Sequence, residues 1–217
     1  MQINRKDLKT RAKRAFGDNY AACVIVALLM TILTAGITVN TSFTNAGSGT
    51  FPQVNFDVGA GLLTVIFLID VFVINPLKVG GYSFFLKNDK KKAELKDVGI
   101  SFKTNYANNV VTMLLQDIFL ALWTCLLVVP GIIKMYSYSL VPFILAENPD
   151  MQGTEAITKS REMMNGYKWQ TFVLDLSFIG WGILSAITCG LAGLLYVNPY
   201  IYQTKAELYE FIKNRQA

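Results

Sequence analysis

Of the 217 residues, 53% are hydrophobic and only 16% charged. Soluble domains carry roughly 25% charged residues, so an ordinary water-soluble globule is excluded. The net charge of +5 does not point to nucleic acid, because no basic patch is interleaved with base-stacking aromatics; the bases instead flank long apolar runs, the pattern of a polytopic membrane protein.

The chain opens with residues 3–16, where Ile3, Leu8, Ala12, Ala15 and Phe16 share one helical face and bases surround the rest. This predicts an amphipathic helix lying on the cytoplasmic membrane surface. A first span follows over 20–39. At about twenty residues it is longer than the roughly 7–15 of a signal-peptide core, and further spans follow it, so it reads as a retained membrane helix. The polar loop 40–57 has no Lys or Arg, span two covers 58–77, and 78–109 reads as a loop with seven lysines. Next come apolar runs at 110–129 and 132–147, joined at Pro130–Gly131. Residues 153–165 predict a second interfacial helix, with Gly153 and Thr154 at its start and Gly166 at its end. Span five covers 168–187, TCGLAG reverses the chain, and a last span over 191–204 leads into an amphipathic tail.

Six Lys or Arg lie before the first span, none in 40–57, seven in 78–109 and three in 148–168. Placing all the basic segments inside requires 110–147 to cross out and back. The expectation is therefore an all-α polytopic bundle of about six spans with both termini cytoplasmic. Pro130 and Gly131 would make the external turn; a re-entrant hairpin over 110–147 is the rival. The bases Arg5, Lys6, Lys9, Arg11, Lys13, Arg14, Lys87, Lys90, Lys91, Lys92 and Lys96 would face anionic inner-leaflet lipid, each contributing about 1 kcal/mol.

The spans also divide the single membrane domain into three similar hairpin units, 1–77, 78–147 and 148–217. Each opens near an aromatic (Tyr20, Tyr106, Trp169), and each returning span carries a proline: Pro76, Pro142 and Pro199. Two of these follow asparagine, Asn75 and Asn198. Proline frees a helix carbonyl and bends the axis, and asparagine can bond such groups or bond across to another helix.

Several blocks resemble the bacterial integral membrane family known as domain of unknown function 975. They are Pro130-Gly131-Ile132-Ile133-Lys134 with Tyr136-Ser137-Tyr138-Ser139; Ser160, Arg161, Met163, Met164 and Gly166; Leu174 to Phe178 with Trp181; and Asn198-Pro199-Tyr200. Spread over essentially the whole chain, the resemblance implies a multi-pass bacterial membrane protein and brings no activity, substrate or catalytic residue.

The sequence has no histidine, so a Ser-His-Asp triad or a Cys-His dyad cannot form, and Walker A and dinucleotide motifs are missing. Cys23, Cys125 and Cys189 sit in apolar runs without metal-ligand spacing. No catalytic residue, cofactor or metal is expected. The candidate polar site consists of Asp70, Asp117, Asp175 and Lys134 within spans, with Asn75 and Asn198. An ionisable group at a helix centre costs about 2.5–3.5 kcal/mol on insertion scales. At about 1.5 Å per residue the three aspartates reach one level in the cytoplasmic half of the bilayer. There they either line a cation or proton vestibule or pair with Arg161 and Lys168. Lys134 is expected to snorkel outward, and Ser137 to bond the carbonyl four residues back. The leading functional expectation is a scaffold or accessory protein that binds lipid, a membrane-protein partner or a second copy of itself. The alternative is a small-solute or ion transporter that uses the carboxylates.

Overall fold

The computed structural model describes residues 3–35, 60–90, 92–188 and 190–216. The loop expected over 40–57, Lys91 and Cys189 lie outside the described residues. Among those residues the regular structure is all helical, as expected. Helix α1 (Arg5–Asp18) starts where Asn4 Oδ1 accepts the Asp7 N–H at 3.3 Å, satisfying one of the unpaired donors of the first turn. Helix α2 (Tyr20–Ala35) follows after a single break at Asn19. Helix α3 (Ala60–Ile69) runs through a π-turn (Asp70–Ile74) into α4 (Asn75–Lys90). A 3₁₀ turn (Leu95–Gly99) and the short α5 (Ile100–Lys103) then lead to α6 (Tyr106–Leu126). After it come α7 (Val128–Tyr138), α8 (Val141–Glu147), α9 (Gly153–Met163), α10 (Lys168–Leu176) and α11 (Ile179–Ile187). A second π-turn (Gly193–Val197) precedes α12 (Asn198–Lys213).

Among the described residues four helical runs are long and apolar enough to cross a membrane: Val65–Lys90, Tyr106–Leu126, Val128–Glu147 and Lys168–Ile187; the apolar helix Tyr20–Thr31 is shorter. The core lies at one end of the bundle, where the basic segments gather. There α4 packs on both α8 and α12. Tyr82 meets Phe143 with ring centroids 4.5 Å apart, Phe143 stacks on Tyr209 at 5.4 Å, and Phe85 stacks on Tyr202 at 5.5 Å. Phe84, Phe85, Phe143 and Tyr209 are fully buried, and each contributes on the order of 1.5–3 kcal/mol by burial. The opposite end is apolar and open. Leu126, Leu127, Val128 and Val129 are 65–70% exposed, and α11 has no buried residue. An apolar outer surface of this kind suits hydrocarbon rather than water.

Several expectations need correction. The span ending at 77 does not end there: the helix continues to Lys90, so most of 78–90, the first part of the expected loop 78–109, is core, and the boundary between the first two units falls inside α4. The reversal expected at Pro130–Gly131 is made by Leu127, whose extended backbone (φ −159°, ψ 135°) joins α6 to α7. Pro130 and Gly131 lie in the first turn of α7, where proline removes a donor that would have no helical partner. A Cβ on Gly131 would sit 2.9 Å from Thr124 Cα, so glycine permits the hairpin to close. Pro142 follows a helix break at Ser139–Leu140 rather than a bend. The apolar face of α1 does not lie free on a surface: Leu8, Ala12 and Phe16 are buried, and α1 packs along α12. Helix α9 and Gly166 (φ +80°) fall where the sequence placed them.

Candidate functional site

The Asn-Pro pairs organise the polar groups inside the bundle. Pro76 has no N–H to offer the carbonyl of Phe72, four residues back, and its ring would crowd that carbonyl. The chain answers with the π-turn, in which the Asn75 N–H reaches back five residues to the Asp70 carbonyl. The freed Phe72 oxygen accepts the hydroxyl of Tyr106 on α6 at 2.5 Å. The same device recurs at Pro199. The Asn198 N–H bonds the Gly193 carbonyl, and the Leu195 oxygen, four residues before Pro199, accepts the hydroxyl of Tyr20 on α2 at 3.1 Å. Tyr20 and Tyr106 are each the first residue of an outgoing helix.

The parallel extends to the asparagine side chains. Asn75 Nδ2 donates to Asp117 Oδ2 at 3.0 Å, and Asn198 Nδ2 donates to Thr31 Oγ1 at 3.0 Å. Asp117 and Thr31 each lie eleven residues after their opening tyrosine. Each of these two returning helices is therefore tied, by a hydroxyl and an amide, to the outgoing helix of another hairpin. The middle unit departs from the pattern, because Pro142 sits at a helix break.

The first asparagine anchors a four-residue network. Lys78 Nζ donates to Asn75 Oδ1 at 3.0 Å and lies 3.8 Å from Asp70 Oδ1. Asp70 and Asp117 are thus brought together through Asn75 and Lys78. Asp175 is not part of this group. Its partner is Lys205 on α12 at 3.9 Å, and it lines a cavity of about 110 Å³ together with Tyr136, Ser139 and Thr171. Among the described residues no ion pair joins the carboxylates to Arg161 or Lys168, and the three aspartates divide between two sites on different helix pairs. Lys134 lies over the Trp123 ring, 4.4 Å from its centroid, a cation–π contact. Ser137 Oγ donates to the Ile133 carbonyl at 2.8 Å, as expected, and Ser160 Oγ donates to the Ser137 carbonyl at 2.8 Å. Cys23 is buried and Cys125 exposed.

Lys78 and Lys205 escaped the sequence reading. Lys78 was counted as a loop base; its spacing of three from Asn75 and eight from Asp70 becomes meaningful only once the helix is known to pass through Asn75–Pro76.

A second polar centre at the basic end was also missed. Asn19 Nδ2 donates to Asn88 Oδ1 at 2.8 Å and to the Ala93 carbonyl at 2.9 Å, and Asn88 Nδ2 bonds Gln203 Oε1 at 3.2 Å. This buried amide chain forms the back of a cleft between α1, α4 and α12. Glu207 of α12 also lines the cleft. Its side chain is 1% exposed, and Arg11 Nε stands 3.5 Å from Oε2. Among the described residues neither Glu207 oxygen accepts a hydrogen bond.

Burial, followed by the neighbouring Asp89 carboxyl, pushes Glu207 up to about 8, with Arg11 opposing and Asp7 adding to the rise. A carboxyl raised on folding is protonated in the folded state over a range where the unfolded chain has released its proton. Stability contributed by this group therefore falls as pH rises from about 5 to about 8 and levels off above that. In detergent, the melting-temperature gap between Glu207→Gln and the native protein should shift in the variant's favour across that interval. Parallel pH profiles for the two proteins would contradict it.

Over residues 125–216 the chain matches a family model described as "Protein of unknown function (DUF975)". The matched stretch, which is under half of the chain, is similar to that family. The DUF975 match runs from the end of α6 to the last turn after α12 and so contains Asp175, Lys205 and Glu207. It covers less than the whole-chain resemblance read from the sequence, and the family description carries no activity. No curated protein matches the chain, and no solved structure does.

Proposed function

We propose that this protein is a non-transporting, non-enzymatic scaffold or accessory protein of the bacterial plasma membrane. It presents its basic end, with both termini, to the cytoplasm, where it holds lipid or a membrane-protein partner. The observation that carries this reading is that the ionisable groups within the helices are engaged with one another. Asp70 and Asp117 are joined through Lys78 and Asn75, and Asp175 lies against Lys205. Charged groups placed this way offset the cost of their own insertion and leave little to attract a passing ion. The orientation rests on the distribution of Lys and Arg.

The test is flux through proteoliposomes loaded with protons, alkali cations and a panel of small polar solutes. The expected result is no flux above that of empty vesicles, for the native protein and for Asp117→Asn and Asp175→Asn alike. Protein-dependent flux that disappears in either variant would replace the scaffold with the transporter.

A further inference from the structure

The cleft at the basic end has a cavity of about 310 Å³, at the lower limit of small-molecule sites. Its lining carries both bases and acids: Arg11, Arg14, Lys90 and Lys92 with Asp18, Asp89 and Glu207. A simple anion entering it would meet the carboxylates, and a simple cation would meet the bases. An occupant that carries both a phosphate and an ammonium satisfies both halves. Glu207 sharpens this. Its side chain is buried beside the Asp89 carboxyl, with only Arg11 Nε at 3.5 Å to oppose the paired acids, and an ammonium entering there would supply the opposite charge that this carboxyl pair lacks. Arg14 and Lys92 are exposed at the rim and form no ion pair among the described residues, so they remain available to a phosphate.

Position supports the same chemistry. Asn19 lines the cleft and directly precedes Tyr20, the exposed aromatic that opens the apolar helix α2. Tyrosine at that boundary marks the head-group level of a bilayer. Lys90, the last residue of α4, lines the same cleft. The hydrogen-bonded chain Asn19–Asn88–Gln203 holds the back wall fixed, so the site is built rather than formed by chance among mobile side chains.

We propose that this cleft binds a phosphoethanolamine head group, with the ammonium donated to Glu207 and the phosphate held by Arg14 and Lys92. The proposal rests on the scaffold reading and names the lipid chemistry it would hold.

The test compares full-length protein in detergent titrated with four probes: short-chain phosphatidylethanolamine in mixed micelles, short-chain phosphatidylglycerol in the same micelles, soluble glycerophosphoethanolamine, and ethanolamine alone. Binding is followed by calorimetry and by the rise in melting temperature. The phosphoethanolamine probes should bind at least about tenfold tighter than phosphatidylglycerol or ethanolamine, a difference of about 1.4 kcal/mol. Glu207→Gln should bring the two lipids within about twofold of each other. Arg14→Ala, an exposed change that leaves the fold intact, should weaken both lipids together. Preference for the lipid over the soluble ester identifies a membrane ligand, and equal binding of the two a soluble one; either upholds the site. Equal affinity for the two lipids in the native protein, an unchanged preference in Glu207→Gln, or no binding of any probe would overturn it. These outcomes are independent of flux, so loss of this site leaves the scaffold reading standing, and a positive flux result would remove that reading without erasing a measured head-group preference.

Discussion

Replacing Glu147 by alanine is expected to lower the melting temperature of the detergent-solubilised protein by roughly 5–10 °C, from a loss of about 2–3 kcal/mol at the 2–4 °C per kcal/mol typical of chains this long. Glu147 ends α8 at the point where the three returning helices converge. It accepts the Tyr209 hydroxyl at 2.8 Å, receives Lys213 Nζ at 2.7 Å on both oxygens, and lies 3.7 Å from Lys90 Nζ. Lys90 is held in turn by Glu210 at 2.8 Å. Removing the carboxylate leaves Lys213 and the Tyr209 phenol of α12 without their acceptor, while Lys90 of α4 keeps Glu210. The side chain is 20% exposed, so water softens the penalty below that of a fully buried pair. Glu147→Gln keeps an acceptor and should fall between the native protein and the alanine variant. A melting temperature within about one degree of native for Glu147→Ala would show that the convergence is held by aromatic packing alone.

The second large effect is expected at Gly80. A Cβ there would overlap the carbonyl oxygen of Val98 and lie 2.8 Å from the carbonyl carbon. Both are backbone atoms of the 3₁₀ turn, which cannot swing aside as a side chain can. Gly80→Ala should therefore cost about 3 kcal/mol or more, the upper range for overpacking, and yield aggregated or poorly recovered protein on gel filtration. Gly81 provides the control. Its added Cβ would press on the flexible end of the Met30 side chain, which can change rotamer, so Gly81→Ala should be recovered with a melting temperature closer to native. Similar behaviour of the two variants would remove the backbone contact as the cause.

The all-helical architecture was legible because twenty-residue apolar runs leave few alternatives in lipid. The start of α9 and the left-handed Gly166 were legible from local residue chemistry. The extent of α4 was not. An Asn-Pro pair after an apolar run reads as a terminus, and Lys78, Lys87 and Lys90 read as loop charges. The π-turn that carries the helix past Pro76 depends on a carbonyl cap from Tyr106, 34 residues away. The aspartates could be read from the sequence as groups that need partners inside a span. Their partners, Lys78 and Lys205, could not be chosen without knowing which helices adjoin. Glu207 was invisible for a related reason: nothing in an amphipathic tail marks which of its carboxylates turns inward.

The two π-turns bear on how this chain tolerates change in length. Each holds one residue beyond what an unbroken α-helix of the same rise would contain, and one residue corresponds to a turn of about 100° around the axis. Every side chain downstream, from Lys78 and Phe84 in α4 to Gln203 and Glu207 in α12, owes its compass bearing to that extra residue. The turns thus act as phase shifters, setting which face of each returning helix looks inward while leaving its direction through the bundle unchanged.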